Sequence, residues 1–407
     1  MNCYFDYNAT APLCVTAQKA MSNAMGIIGN PSSVHSFGRN IRKEIEKTRN
    51  NIARILGVEP ERIVFTSGAT EANNLALKHF PGLVFVSAIE HDSVYLVRED
   101  AKIIPVDENG IICLDRLQEL LEEHKNKGPF LISVMLANNE TGVIQPLEEV
   151  VLLAKQYGAY VHSDIVQAIG RIQFPWHVLD MASVSAHKVG GPTGVGCLVV
   201  NPSLAIKPLL LGGGQERFYR PGTENILGIV GMAAALEESV KQDWSQTEQL
   251  RDLLDDSISA IYSDACLAKT SQRLPNTTML CMPGVKNETQ VISFDLAGFA
   301  VSAGSACSSG KIRSSRVLQA MGLHFEKSQQ AIRVSLGPDV SLEDIEFFCQ
   351  AWRTIYENLS VRRDHKINRN NNEIDSHHSE AHKGCDDSII LLDCHAPLAM
   401  TAEGEIQ

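Results

Sequence analysis

A chain of 407 residues, 44% of them hydrophobic, is long enough for one large α/β domain with a smaller companion, or for two domains. Its formal net charge of −12 argues against a nucleic-acid backbone as partner, because phosphate binding draws on clustered Lys and Arg. No run approaches the roughly 18 apolar residues of a membrane span, and MNCYFDYNATAP lacks the basic and apolar regions of a secretory leader, so the chain reads as cytoplasmic, with no membrane partner. Ten cysteines without a CxxC pair fit a reducing compartment, since a chain of this size needs no disulfide staples.

In chain order, a short extended piece over 1–14 precedes a helix over 15–25, a turn at Gly29-Asn30-Pro31-Ser32-Ser33, and a helix over 38–56 with Ile41, Ile45, Ile52 and Ile55 at helical spacing. A buried-type strand over 62–66 runs into Ser67-Gly68-Ala69-Thr70-Glu71, and a helix resumes through Leu77. A strand, a tight glycine turn and a helix start expose backbone N–H groups that suit a phosphate, although Thr70 as a plain helix cap reads equally well. The strand over 83–87 ends in Glu90-His91, and the strand over 130–136 ends in Asn138-Asn139-Glu140. The strand over 159–163 ends in Asp164, with Gln167 just beyond.

Next comes SVSAHKVGGPTGVG, in which a small-residue strand ends at Ser185-Ala186-His187-Lys188 before a glycine turn and the apolar strand 197–200. A lysine at a sheet mouth is a candidate Schiff-base lysine, because apolar packing and nearby cations favour the neutral amine. The alternative is a surface lysine in a glycine-rich turn. Strands alternating with helical stretches such as 147–157 predict a mainly parallel sheet, and each strand delivers a polar residue at its exit, where open α/β sheets bind ligands.

A glycine-rich loop, Gly213 to Asn225, leads to helices over 225–241 and 248–261. Strands are expected over 277–282 and 290–295. Gly304-Ser305-Ala306-Cys307-Ser308-Ser309-Gly310 places a thiol in loop composition rather than core composition. Arg333 stands in an apolar run, where its fork can take a carboxylate or make a salt bridge. A helix over 343–359 follows. Beyond it, 362–383 has almost no apolar residues and is expected to be disordered, and the His and Cys of the tail match no standard metal spacing.

The strand exits ask for one ligand. Lys188 suits an aldehyde and Asp164 a protonated pyridine nitrogen; Asn139 and Gln167 can donate to a phenolic oxygen, while Ala69-Thr70, Ser185 and His187 suit a phosphate. Those four groups together describe pyridoxal 5'-phosphate.

With Ser67-Gly68-Ala69-Thr70-Glu71, His91, Asn138-Asn139-Glu140, Asp164 and Gln167, Ser185-Ala186-His187-Lys188, Arg220-Pro221-Gly222-Thr223 and Gly304-Ser305-Ala306-Cys307 in this order, residues 1–358 resemble the cysteine desulfurases. These are fold-type I pyridoxal-phosphate enzymes of the class V aminotransferase family. The resemblance implies an α/β fold with a mainly parallel seven-stranded sheet in a large cofactor-binding domain, 15–255. A smaller α+β domain, 1–14 with 256–360, would carry the Cys loop, and 361–407 would be a tail. It implies that Lys188 carries the cofactor, Asp164 keeps the pyridine nitrogen protonated, His91 stacks on the ring and handles the thiol proton, and Asn139 and Gln167 contact the ring oxygen. Ala69, Thr70, Ser185 and His187 would hold the phosphate, with Thr223 reaching in from the second subunit of a homodimer. Arg333, with Asn139, would hold the carboxylate of L-cysteine. Cys307 would be the nucleophile that becomes a persulfide and passes its sulfur to an acceptor, an iron-sulfur scaffold or a sulfur carrier serving cluster assembly or tRNA thiolation.

The spacing after Cys307 resembles the long-loop subgroup, which favours cysteine over selenocysteine. Two departures stand out: Ala11 replaces a usual second threonine, and the tail differs from the ending that docks the scaffold protein. A selenocysteine lyase or aminotransferase keeps the fold but leaves Cys307 without a task. A non-catalytic sulfur-relay or metal scaffold leaves Lys188, Asp164 and Arg333 without one.

Overall fold

The computed structural model describes residues 3–204, 206–304 and 314–359. Its strands are β1 (Cys3–Tyr4), β2 (Ile63–Thr66), β3 (Leu83–Ser87), β4 (Lys102–Ile104), β5 (Phe130–Ser133), β6 (Tyr160–Asp164), β7 (Met181–Ser185), β8 (Gly196–Val200), β9 (Cys266–Leu267), β10 (Thr277–Cys281), β11 (Phe299–Ala300) and β12 (Ala331–Ser335). Seven of them form one sheet in the order β2-β8-β7-β6-β5-β3-β4. Strands β3 to β7 run parallel, β8 is antiparallel to β7, and β2 is antiparallel to β8, so β8 alone is reversed. The expected mainly parallel sheet is present, and the exits of β2, β3, β5, β6 and β7 share one edge.

The sheet is buried on both faces, as a parallel sheet must be when helices cover it. Period-2 alternation divides its side chains. Phe65, Phe85, Ile132, Val161, Ala182, Cys197 and Val199 enter one apolar cluster, while Val64, Val84, Val86, Leu131, Met181, Leu198 and Val200 enter another. Among the helices, α1 (Val15–Ala24) is followed by α2 (Ser36–Leu56), which buries Ile41, Ile45, Ile52 and Leu56, begins at His35 accepting from Gly38 N–H, and stops at Gly57 with φ of 63°. That left-handed stop is one that glycine reaches without strain. Helix α3 (Ala69–Leu77) buries Ala72, Leu75, Ala76 and Leu77 on the opposite face of the sheet.

The remaining helices are α4 (Asp92–Tyr95), α5 (Leu114–His124), α6 (Leu147–Gln156), α7 (Ile226–Ser239), α8 (Ser245–Ser259), α9 (Asn287–Leu296), α10 (Arg316–Ala320) and α11 (Phe325–Ser328), with a last helix over 342–359. Helix α9 corrects the strand expected over 290–295. Its buried residues are Asn287, Gln290 and Phe294, while Ile292 is exposed. Spacings of three and four follow a helix face, and the short apolar run alone did not separate the two periods. The expected strand over 130–136 ends early, at Ser133.

Two small sheets, β12-β10-β9 and β1-β11, complete the strands among the described residues. The first is antiparallel and sets Arg333 opposite Met279. Bridges of Asp6 with Ser335 and of Ser302 with Arg333 lay the N-terminal segment and the residues before Gly304 beside β12. Buried Asp255 joins this region to α8: Arg273 Nη2 lies 2.6 Å from its Oδ2, and Thr278 Oγ1 donates to its Oδ1 at 2.6 Å. The described residues through Tyr356 gather in one unit. No described helix is long and apolar enough to cross a membrane.

Candidate active site

At the common edge of the sheet a cavity of about 520 Å³ is lined by Ala69, Thr70, His91, Asn139, Asp164, Gln167, Ser185, His187, Lys188 and Arg333. Ten of the twelve residues singled out in the sequence therefore meet in one place. Thr223 does not: it is exposed and lines no part of this cavity. Cys307 and the tail beyond 359 lie outside the described residues, while Ser302 and Gly304, just before the Cys307 segment, line the cavity wall.

Lys188 ends a short turn, Ala186–Lys188, directly after β7. Its Nζ donates to the backbone carbonyls of Asn8 at 2.7 Å and Ala9 at 2.8 Å. Burial, then the charges of Arg333 and Arg171, lower its pKa from 10.5 to about 8. A neutral amine has two hydrogens, and with both directed at carbonyls its lone pair is left for a carbonyl carbon. His187 is pushed to about 4 by burial and by Lys188, and its Nδ1 lies 3.0 Å from Thr10 Oγ1.

Asp164, at the end of β6, is 6% exposed. Asn73 Nδ2 donates to its Oδ2 at 2.8 Å, and Val166 N–H donates to its Oδ1 at 3.0 Å. Neither donor is a cation. Gln167 donates to the carbonyl of Asn8 at 3.1 Å, and buried Arg171 donates to the Gln167 carbonyl at 3.0 Å. On the same cavity wall, α3 begins beside Ser185, whose Oγ lies 4.0 Å from where a Cβ at Gly68 would stand. Glu71 braces that turn, accepting from Ser67 N–H at 2.6 Å and from Arg220 Nε at 3.0 Å. Burial opposes its ionisation, but the Ser67 hydrogen bonds and Arg220 hold it below the usual carboxylate range.

Arg333 reaches the cavity from β12. Its Nη2 pairs with Asp6 Oδ1 at 2.6 Å and its Nη1 donates to the Asn139 carbonyl at 2.9 Å, while its buried Nε has no partner. The salt bridge, one of the two readings given to it in the sequence, is present and ties β12 to the N-terminal segment.

Other residues of the site were assigned no role from the sequence. The carbonyls of Asn8 and Ala9 act through backbone, which any residue supplies. Glu90 lines the cavity with Met135 N–H donating to its Oε1 at 2.6 Å, and burial holds this carboxyl well above its ordinary value. Arg316 donates to the carbonyls of Ala88 and Glu90 and lies 3.7 Å from the centre of the Tyr95 ring, fastening α10 to the turn that carries His91. Glu140 accepts from Ser315 Oγ at 2.5 Å.

A lysine whose pKa is lowered toward neutrality, a buried carboxylate whose hydrogen-bond donors are neutral, and a helix start beside Ser185 fit an aldehyde-bearing, anionic pyridine cofactor. The fold and this arrangement match a known class. The Aminotransferase class-V family matches residues 3–348. A cysteine desulfurase IscS of Dictyoglomus turgidum is 38% identical over 90% of this chain and 98% of its own. One from Archaeoglobus fulgidus is 36% identical over 88% and 97%. The structure of a NifS-like protein from Rickettsia africae is 34% identical, covers 88% of this chain and all of its own, and superposes with a TM-score of 0.81. The chain belongs to the class-V aminotransferase family, within its cysteine desulfurase branch.

Proposed function

We propose that this chain uses pyridoxal 5'-phosphate held at Lys188 to remove sulfur from L-cysteine, leaving L-alanine and a persulfide on Cys307. The observation that carries the reading is the cavity itself, where Lys188, Asp164, His91 and Arg333 meet from four separate stretches of chain. Bound there, the cofactor supplies an electron sink that loosens the bonds around the amino acid's α-carbon.

The chain's own residues do the rest. Asp164 would keep the pyridine nitrogen protonated, and Asn139 and Gln167 would contact the ring oxygen. Ala69, Thr70, Ser185 and neutral His187 would hold the phosphate beside the start of α3. Arg333 takes the substrate carboxylate with Asn139 beside it, its guanidinium being part of the cavity wall. The Lys188 amine would move the α-proton, as its lowered pKa allows near neutrality. The Cys307 thiolate then attacks the substrate sulfur. A sulfur–sulfur bond forms, the carbon–sulfur bond breaks, and the electron pair left on carbon is protonated as L-alanine departs.

We further propose a homodimer in the cytoplasm that hands its sulfur to an acceptor protein for iron-sulfur cluster assembly or tRNA thiolation. Thr223, exposed and outside its own chain's cavity, suits a residue that completes the partner's phosphate site. The division into a cofactor domain, 15–255, and a smaller domain, 1–14 with 256–360, belongs to the same proposal.

The test is the visible spectrum of the purified protein with alanine and sulfide release from L-cysteine, beside Lys188→Ala and Cys307→Ala. The proposal expects a yellow wild type whose turnover needs both residues, and a yellow but inactive Cys307→Ala. Turnover that persists without Cys307 would indicate a lyase or an aminotransferase.

A further inference from the structure

His91, Ser93, Asn73 and Asp164 are joined side chain to side chain. Asn73 Nδ2 donates to Asp164 Oδ2 and approaches Ser93 Oγ, each at 2.8 Å. Ser93 Oγ lies 2.7 Å from His91 Nδ1, and the Ser93 backbone N–H donates to the same nitrogen at 3.1 Å. Asn73 is fully buried, and its Oδ1 has no hydrogen-bond partner.

Counting protons fixes the direction of every bond. An ionised carboxylate only accepts, so the Asn73 amide must turn its nitrogen to Asp164; the reverse orientation would set two acceptor oxygens against each other. The second proton of that nitrogen goes to Ser93 Oγ. With its oxygen accepting, the Ser93 hydroxyl has one proton to give, and the acceptor within reach is His91 Nδ1. That ring nitrogen then faces two donors, a hydroxyl and a backbone N–H, and in the neutral ring it carries no proton. The orphaned Asn73 Oδ1 agrees with this count, because a buried acceptor goes unsatisfied where the donors on the same amide are held elsewhere.

We infer that Asn73 and Ser93 are positioning residues that carry the acceptor demand of Asp164 through three hydrogen bonds to His91 and lock its ring proton on Nε2. The inference rests on the cavity being the desulfurase site. In this tautomer His91 offers the cavity an N–H donor. It therefore hydrogen-bonds the sulfur of a thiolate, from L-cysteine or Cys307, and does not take up the thiol proton, which leaves to solvent. The proton-accepting role implied by resemblance needs the tautomer that Ser93 excludes.

The test uses holoenzyme labelled with nitrogen-15 histidine, with the His91 ring signals assigned by their loss in His91→Gln, and steady-state turnover of L-cysteine measured alongside. The expected wild type has an unprotonated Nδ1 and a protonated Nε2. Ser93→Ala removes the hydroxyl donor but keeps the backbone N–H on Nδ1, so the Nδ1 shift moves by the loss of one hydrogen bond while the proton stays on Nε2, and kcat falls about tenfold with KM nearly unchanged; Ser93→Thr, which keeps the hydroxyl, restores both. A wild-type ring protonated on Nδ1 overturns the inference, as does a Ser93→Ala protein with the wild-type ring shifts. A wild type that releases no alanine from L-cysteine sinks the desulfurase reading instead, and the ring shifts still decide the tautomer.

Discussion

Replacing Lys188 with methionine in the cofactor-free protein should change how stability depends on pH. Folding lowers the Lys188 pKa from 10.5 to about 8, through burial and then the charges of Arg333 and Arg171. The unfolded chain therefore binds the proton more tightly. Below pH 8 the folded protein bears the full cost of the buried ammonium. Between pH 8 and 10.5 that cost fades, so the contribution of Lys188 to stability rises with pH across this window. The gap from 10.5 to about 8, at ~1.4 kcal/mol per pH unit, is worth about 3 kcal/mol. Lys188→Met removes the cost along with two hydrogen bonds to the Asn8 and Ala9 carbonyls, which offset it by about 1 kcal/mol each. Urea unfolding of both proteins at fixed concentration, from pH 7 to 10.5, reads the difference. The variant should lose about 3 kcal/mol relative to wild type across that range. Stability curves that stay parallel would refute a lowered lysine pKa and with it the ready supply of neutral amine.

Two further substitutions probe the surroundings of the site. In Gly304→Ala the new methyl carbon would stand 2.5 Å from Glu140 Oε2, the oxygen that accepts from Ser315 at 2.5 Å. Glu140 would have to leave Ser315, so turnover should fall roughly 10²-fold while cofactor absorbance stays at the wild-type level, as spectra and alanine release will show. Asp255→Ala leaves Arg273, whose side chain is 3% exposed, without its carboxylate; urea unfolding should show a loss of about 3–5 kcal/mol.

Much of the site was legible because a parallel sheet delivers its strand exits to one edge. The motifs at Ser67–Thr70, His91, Asn139, Asp164 and Lys188 each follow a strand, so reading strand ends also placed them together. Arg333 was legible in part: its apolar run announced a buried cation, but the pairing with Asp6 spans most of the chain and follows from the bridge that lays the N-terminus beside β12. Helix α9 was misread because six residues of mixed polarity fit either period, and only its burial pattern decides. The Asn73–Ser93 connection could not be read at all. Each is a common polar residue within a helix, and its meaning arises from a partner on another element.

The central claim is that sulfur leaves L-cysteine by moving onto Cys307. Mass spectrometry of the holoenzyme, alkylated after a single addition of L-cysteine without reductant, tests it most directly. The account predicts one added sulfur atom on the peptide containing Cys307, appearing with an equal amount of L-alanine and absent in Lys188→Ala. L-Alanine formed while Cys307 stays unmodified and sulfide appears free in solution would contradict it.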